Sequence, residues 1–187
     1  ELRMGVHASA HSSFVSLVRH PVEQVAPRAP LGVPQRDLVL DPLGLAAARV
    51  ATSRADMATT AFPGGRIYHP GWVYHGLVIG PVAEAALALH RLFATDLLSD
   101  ASRDAMLMPH PLGGPLPGRP WVTTGYGLGL MIGTAASDGA PAPIPVFGHS
   151  AAGPGSVGAI YGWHGPAGRA TAAVLSVDAD QARPAHL

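Results

Sequence analysis

The apolar residues of this chain change their period once, and that switch constrains the fold more than any other feature. From Pro81, the positions Val82, Ala85, Ala86, Leu89, Leu92 and Phe93 recur at helical spacing, while Glu84, Ala88, Arg91 and Thr95 occupy another face. This predicts an amphipathic helix with Pro in its first turn. A second helix is predicted over 100–108, where Ser99 can cap and Asp100 stands near the positive end of the dipole. Beyond Trp121 the pattern becomes that of strands. Residues 126–132 read as a Gly-interrupted strand, and 144–147 as a short apolar run entering a glycine-rich corner. Segments 156–163 and 169–177 flank His164-Gly165-Pro166-Ala167-Gly168 as a hairpin, with 144–149 expected as a strand beside it. Helices first and an antiparallel sheet last predict an α+β fold, an α/β sandwich, rather than a Rossmann unit. Helix 81–94 is expected in a helical region separate from the sheet. The Gly-x-Gly at Gly125 and Gly127 is a weak nucleotide signal, because it lies in a predicted strand that no helix follows.

The remaining segments are less regular. Residues 13–25 carry helical spacing interrupted by Pro21, and 34–40 read as one or two helical turns ended by Asp41-Pro42-Leu43-Gly44-Leu45. Residues 46–70 show no steady period and read as an irregular surface excursion around the turn cluster Ala61-Phe62-Pro63-Gly64-Gly65. Residues 109–120 read as a long Pro/Gly loop. Trp121, Tyr126, Tyr161 and Trp163 alternate with small residues and read as core and sheet-face positions.

Composition removes whole classes of chemistry. The 187 residues contain no Cys, Lys or Asn, and all twelve basic residues are Arg. Thiol nucleophiles, disulfides, Cys-ligated zinc, Schiff-base lysines and the Walker lysine are therefore excluded. Apolar residues at 48% against 13% charged favour a globular chain, and the apolar runs are too short to span a bilayer. Twelve basic residues balance twelve acidic ones, so nucleic acid is not an expected partner. None of the ten His residues forms His-x-x-x-His on a predicted helix, and neither a metal nor a cofactor is expected. His69 and His75 read as loop and packing residues, and His90 as a solvated helix edge; His11 beside Ser12 and Ser13 lacks an orienting acid. The start at Glu1, with neither an initiator Met nor a signal peptide, points to a processed, truncated or excised chain and leaves the compartment open.

Two glycine-rich elements carry a resemblance. Gly125-Tyr126-Gly127-Leu128-Gly129-Leu130, followed by Phe147-Gly148-His149-Ser150-Ala151-Ala152-Gly153-Pro154-Gly155, is similar to the Tyr-Gly-Leu-Gly and Gly-His-x-Gly-Gly-x-Pro-Gly elements of the penicillin-recognising serine hydrolases. That family comprises class C β-lactamases, D,D-peptidases and family VIII carboxylesterases. Leu40-Asp41-Pro42-Leu43-Gly44-Leu45 resembles its Leu-x-Pro-Leu-Gly-Met element. His69-Pro70-Gly71-Trp72 with Gly76-Leu77-Val78 resembles the Gly-Gly-Leu stretch before its helical region. The similarities run in order from about residue 30 to residue 177.

The resemblance implies the C-terminal part of a β-lactamase/transpeptidase-like fold and covalent acyl transfer on a small ester, amide or lactam. The family uses three motifs: Ser-x-x-Lys, Tyr-x-Asn, and Lys-Thr-Gly or His-x-Gly. Only the third has a counterpart here, since the chain has neither Lys nor Asn. Carried over, His149, Ser150 and Ala151 form that motif, with His149 supplying a cation or donor beside the substrate carbonyl and the Ala152 N–H acting as an oxyanion donor. Ala151 stands where the family has Gly, which limits how closely a substrate can approach. Residues 1–187 are thus expected to be a partial domain whose nucleophile lies on a missing N-terminal segment, with the strand over 172–177 left short of pairing partners. The competing reading is a non-catalytic relative or fragment that acts, if at all, as a binding module.

Overall fold

The computed structural model describes residues 4–5, 35–73, 76–136, 141–153, 156–165 and 168–176. The helix read over 13–25, the His11 group and His75 lie outside them. The dominant element is a six-stranded antiparallel sheet in simple meander order. Its strands are β4 (His110–Gly113), β5 (Trp121–Tyr126), β6 (Met131–Ala135), β7 (Ile144–Gly153), β8 (Ser156–Gly165) and β9 (Gly168–Ser176). A smaller antiparallel sheet places β3 (Leu77–Gly80) between β1 (Met4–Gly5) and β2 (Arg49–Ala51). The helices are α1 (Arg54–Met57), α2 (Pro63–Ile67), α3 (Val82–Ala94) and α4 (Asp100–Leu107).

The two longer helices form where their spacing and caps predict. The Ser99 side chain accepts from Ser102 N at the head of α4, satisfying one of the free N–H groups of the first turn. Helix α3, however, is not in a region apart from the sheet: it lies directly against β8 and β9. Its buried Leu89, Leu92 and Phe93 join Met106, Leu130 and Phe147 in one core cluster, with Phe93 edge-on to Phe147 at 5.0 Å. Arg169 of β9 donates to the Phe93 carbonyl at 2.9 Å, so a cation closes the negative end of the helix. The stripe read from the sequence is thus the layer contact of the sandwich. Period alone shows that a face is buried, not what buries it.

Three segments differ from their sequence reading. Residues 46–70 are not an irregular excursion: they supply β2, α1 and α2 and bury Ala48, Val50, Ala51 and Met57. Elements of three to five residues are too short to display a period. Within residues 126–132 a hairpin corner replaces the continuous strand. Gly127 N donates to Leu130 O at 2.8 Å and Gly129 holds φ +79, so the glycines mark a turn between β5 and β6. The first part of the 109–120 loop is the edge strand β4, although Pro111 and a register shift disturb its pairing with β5. The expected hairpin does form, β8–β9, over Ser156–Gly165 and Gly168–Ser176, with residue 177 outside the described residues, and β7 lies beside it, continuing to Gly153. The 34–40 turns appear as a π-helical turn, Arg36–Leu40, closed by Gly44 at φ +60.

Candidate active site at the open edge of strand β7

Strand β7 is longer than its neighbour β6, and that mismatch creates the site. Pairing between β6 and β7 starts at Met131–Gly148, whereas β7 pairs with β8 as far as Gly153–Ser156. From His149 onward, β7 therefore has no strand on its β6 side among the described residues. The direction of its backbone groups follows from the alternation of antiparallel ladders. Ala136 N donates to Pro120 O on the β5 side, so Ala135, Gly133 and Met131 turn their polar groups toward β7. Gly148 then faces β6, His149 and Ala151 face β8, and Ser150 and Ala152 face the open edge. The Ser150 carbonyl agrees with this alternation, because it accepts from a side chain rather than from β8.

That side chain is His149. Its Nδ1 lies 2.5 Å from Ser150 O, and its Nε2 lies 2.5 Å from the Tyr126 hydroxyl, the last residue of β5. A carbonyl oxygen only accepts, so Nδ1 carries a proton and the tautomer is fixed. Both ring nitrogens are therefore occupied within the protein. Gly148, with φ +156, turns the backbone immediately before the ring. A Cβ there would stand 2.0 Å from Ile160 O, so only glycine fits.

Around this edge lie two further hydroxyls. Ser150 Oγ and Tyr161 OH both reach Met131 Sδ, at 3.8 Å and 3.5 Å. Burial, opposed by a hydrogen bond from Ser150, pushes the Tyr161 phenol up to about 12, and Trp121 covers its ring edge-on at 5.6 Å. Elsewhere, His164 packs against Phe147 at 4.8 Å; its basicity is lowered first by burial and then by the charges of Arg169 and His90. His69 is a loop cap, its Nδ1 accepting from Gly71 N at 3.0 Å. Among the described residues no three His, Asp or Glu side chains converge as metal ligands, and no helix is long and apolar enough to cross a membrane.

The structure thus brings His149, Ser150 and the Ala152 backbone to one edge, while Ala151 pairs inward with Gly158. Tyr126, read from the sequence as a packing residue, joins them. Its signal was its place at the head of Tyr-Gly-Leu-Gly: a long side chain with a polar tip, leaving a strand just before a turn.

No protein-family model matches the chain, and no curated protein matches it. Solved structures that share its architecture include two amide hydrolases. The D-stereospecific amidohydrolase from Streptomyces sp. matches at TM-score 0.61 and 21% identity, over 81% of this chain and 45% of its own. The D-amino acid amidase from Ochrobactrum anthropi SV3, solved with D-phenylalanine, matches at TM-score 0.56 and 16% identity, over 86% and 51%. The chain therefore spans about half the length of the solved structures it matches. At these identities the likeness is one of fold: helices packed on a six-stranded antiparallel sheet, the C-terminal α+β part of the β-lactamase-like architecture.

Proposed function

We propose that this chain carries the sheet-edge portion of a serine hydrolase that works through an acyl-enzyme on a small ester, amide or lactam. The observation that carries the reading is the open edge of β7, where His149 stands at the first position past the end of β6 and the Ser150 and Ala152 N–H groups face outward. Outward N–H groups on a rigid strand can stabilise an oxyanion without reorganising, which is the largest single contribution in many acyl transfers. The names of two structures that share the fold favour an amide of a D-amino acid within that class.

The other parts of such a site are not among this chain's residue types. Without Lys and Asn it holds neither a Ser-x-x-Lys nor a Tyr-x-Asn element, and the Ser150 hydroxyl meets the Tyr161 phenol and a methionine sulfur, neither of which is a base. The chain alone is expected not to turn over nitrocefin, a short-chain nitrophenyl ester or a D-Ala-D-Ala peptide, since removing catalytic partners typically costs many thousandfold. Activity is expected on co-expression with the portion of the Streptomyces amidohydrolase that this chain does not match. A stoichiometric acylation burst abolished by substituting one serine would overturn the assignment of the nucleophile to another segment. The same missing residue types favour a second reading, a non-catalytic relative, and continued inactivity in every co-expressed pair would support it.

A further inference from the structure

We propose that Tyr126 and His149 form a nucleophile–base pair belonging to this chain alone, in which an imidazole-activated phenol accepts an acyl group from small activated esters. Three groups stand in the order such chemistry requires. The Tyr126 hydroxyl meets His149 Nε2 at 2.5 Å, and His149 Nδ1 meets the Ser150 carbonyl at 2.5 Å. Because the carbonyl holds the Nδ1 proton, the neutral ring presents a lone pair at Nε2, and the phenol O–H points at it. The carbonyl also stabilises the imidazolium once Nε2 takes that proton.

The fold makes the pair possible through the early end of β6. Strands β5 and β7 are separated by one intervening strand, roughly 10 Å apart at twice the interstrand spacing. A tyrosine from one side and an imidazole from the other span that distance where β6 and its corner leave the way clear. Gly148 at φ +156 turns the strand just before His149. Both partners are half-buried, so each keeps a surface toward solvent. The neighbouring hydroxyls lack this activation: Ser150 and Tyr161 meet each other and Met131 Sδ, and none of these is a base.

In the step itself, the phenol oxygen attacks the acyl carbon while its proton passes to His149 Nε2. The ester C–O bond then breaks, and the leaving oxygen departs as its anion or takes the proton back from Nε2. The product is an acyl-tyrosine, no electron is exchanged with a cofactor, and nothing outside the chain is needed. The pair is therefore tested separately from the reading of the preceding subsection, since it gives a single acylation rather than turnover.

The test incubates the chain with p-nitrophenyl acetate, following nitrophenolate release and mapping the label by peptide mass spectrometry. One acetyl group per chain is expected, on Tyr126. Tyr126→Phe should remove it, and His149→Gln should slow it about a hundredfold, the scale of general-base assistance. A measurement without variants guards against misfolding: labelling of Tyr126 should exceed that of Tyr68 at least about tenfold in the native chain, and the preference should vanish in urea. Equal labelling of both tyrosines in the native chain, label on Ser150 instead, or an unchanged rate in a folded His149→Gln variant would each overturn the proposal.

Discussion

Gly148 holds φ +156, and the position of a Cβ on it, 2.0 Å from Ile160 O and 2.7 Å from Tyr161 Cα, leaves no room for a side chain. Gly148→Ala should therefore lose more than the roughly 3 kcal/mol that backbone strain alone can cost. Gly113 separates the two causes, because it has the same φ and a methyl group on its Cα would meet nothing within 4 Å, so Gly113→Ala should show the strain without the clash. Urea denaturation of both variants measures the difference, and equal losses would mean that packing at Gly148 contributes nothing. Tyr161 offers a test by pH. Its phenol is pushed from 10.0 up to about 12, first by burial, so its proton is held more tightly in the folded chain than in the unfolded one. The stability this contributes is full below pH 10 and is lost as pH rises through about 12, because the unfolded chain ionises first. Urea midpoints should therefore fall more steeply in the native chain than in Tyr161→Phe over that window. Parallel curves would refute the assignment.

Helix α3 ties the two sheets together through charged contacts as well as through its apolar stripe. Glu84 in its first turn accepts from Ala47 N at 3.0 Å and Ala48 N at 2.6 Å, and Arg91, two turns later, donates to Leu43 O at 2.6 Å. The segment before β2 is thereby held against a helix that also packs on β8 and β9. Glu84→Ala strands two amide donors and should cost about 3 kcal/mol, the scale of hydrogen bonds to a charged group. Glu84→Gln, which keeps one acceptor oxygen, should cost less, and denaturant melts of the two variants would rank them. The reverse ranking would show that the charge and its acceptors are not what hold the segment. Helix α1 is fixed more locally, by a capping box in which Ser53 and Asp56 serve each other's backbone N–H groups. Hydrogen bonds to its carboxylate, chiefly the one from Thr52 N, hold Asp56 below its ordinary range.

At the scale of the whole molecule, the two outer strands of the large sheet are unequal. Strand β4 is short and carries Pro111 and a register shift, both of which discourage pairing with another chain. Strand β9 runs for nine residues with one charge, Arg169, and no Pro, and its second side has no strand partner among the described residues. The isolated chain should accordingly self-associate through β9 and melt at low temperature. Ala172→Lys, at an exposed position on that strand, should restore a monomer as judged by light scattering. A monomer that melts sharply without any change would show instead that the chain is a self-sufficient domain.

What the sequence determined by itself was whatever follows from local period, capping chemistry and residue type. Helices α3 and α4, the β8–β9 hairpin, the α+β class, and the exclusion of lysine and thiol chemistry all belong here, because each depends on neighbours in the chain or on an absence. The short elements between residues 46 and 70 were illegible, since three residues of strand show no repeat and their burial is decided by β3 and α3. The corner at Gly127 looked like strand because a glycine between apolar residues suits either, and Leu130 O had yet to be placed opposite its N–H. The site divided in the same way. His149, Ser150 and Ala152 could be named from a local motif, but Tyr126 lies 23 residues from His149 and meets it only because β6 ends before His149 is reached. Ladder length is a property of paired strands, so tertiary structure alone could decide which side chain the imidazole faces.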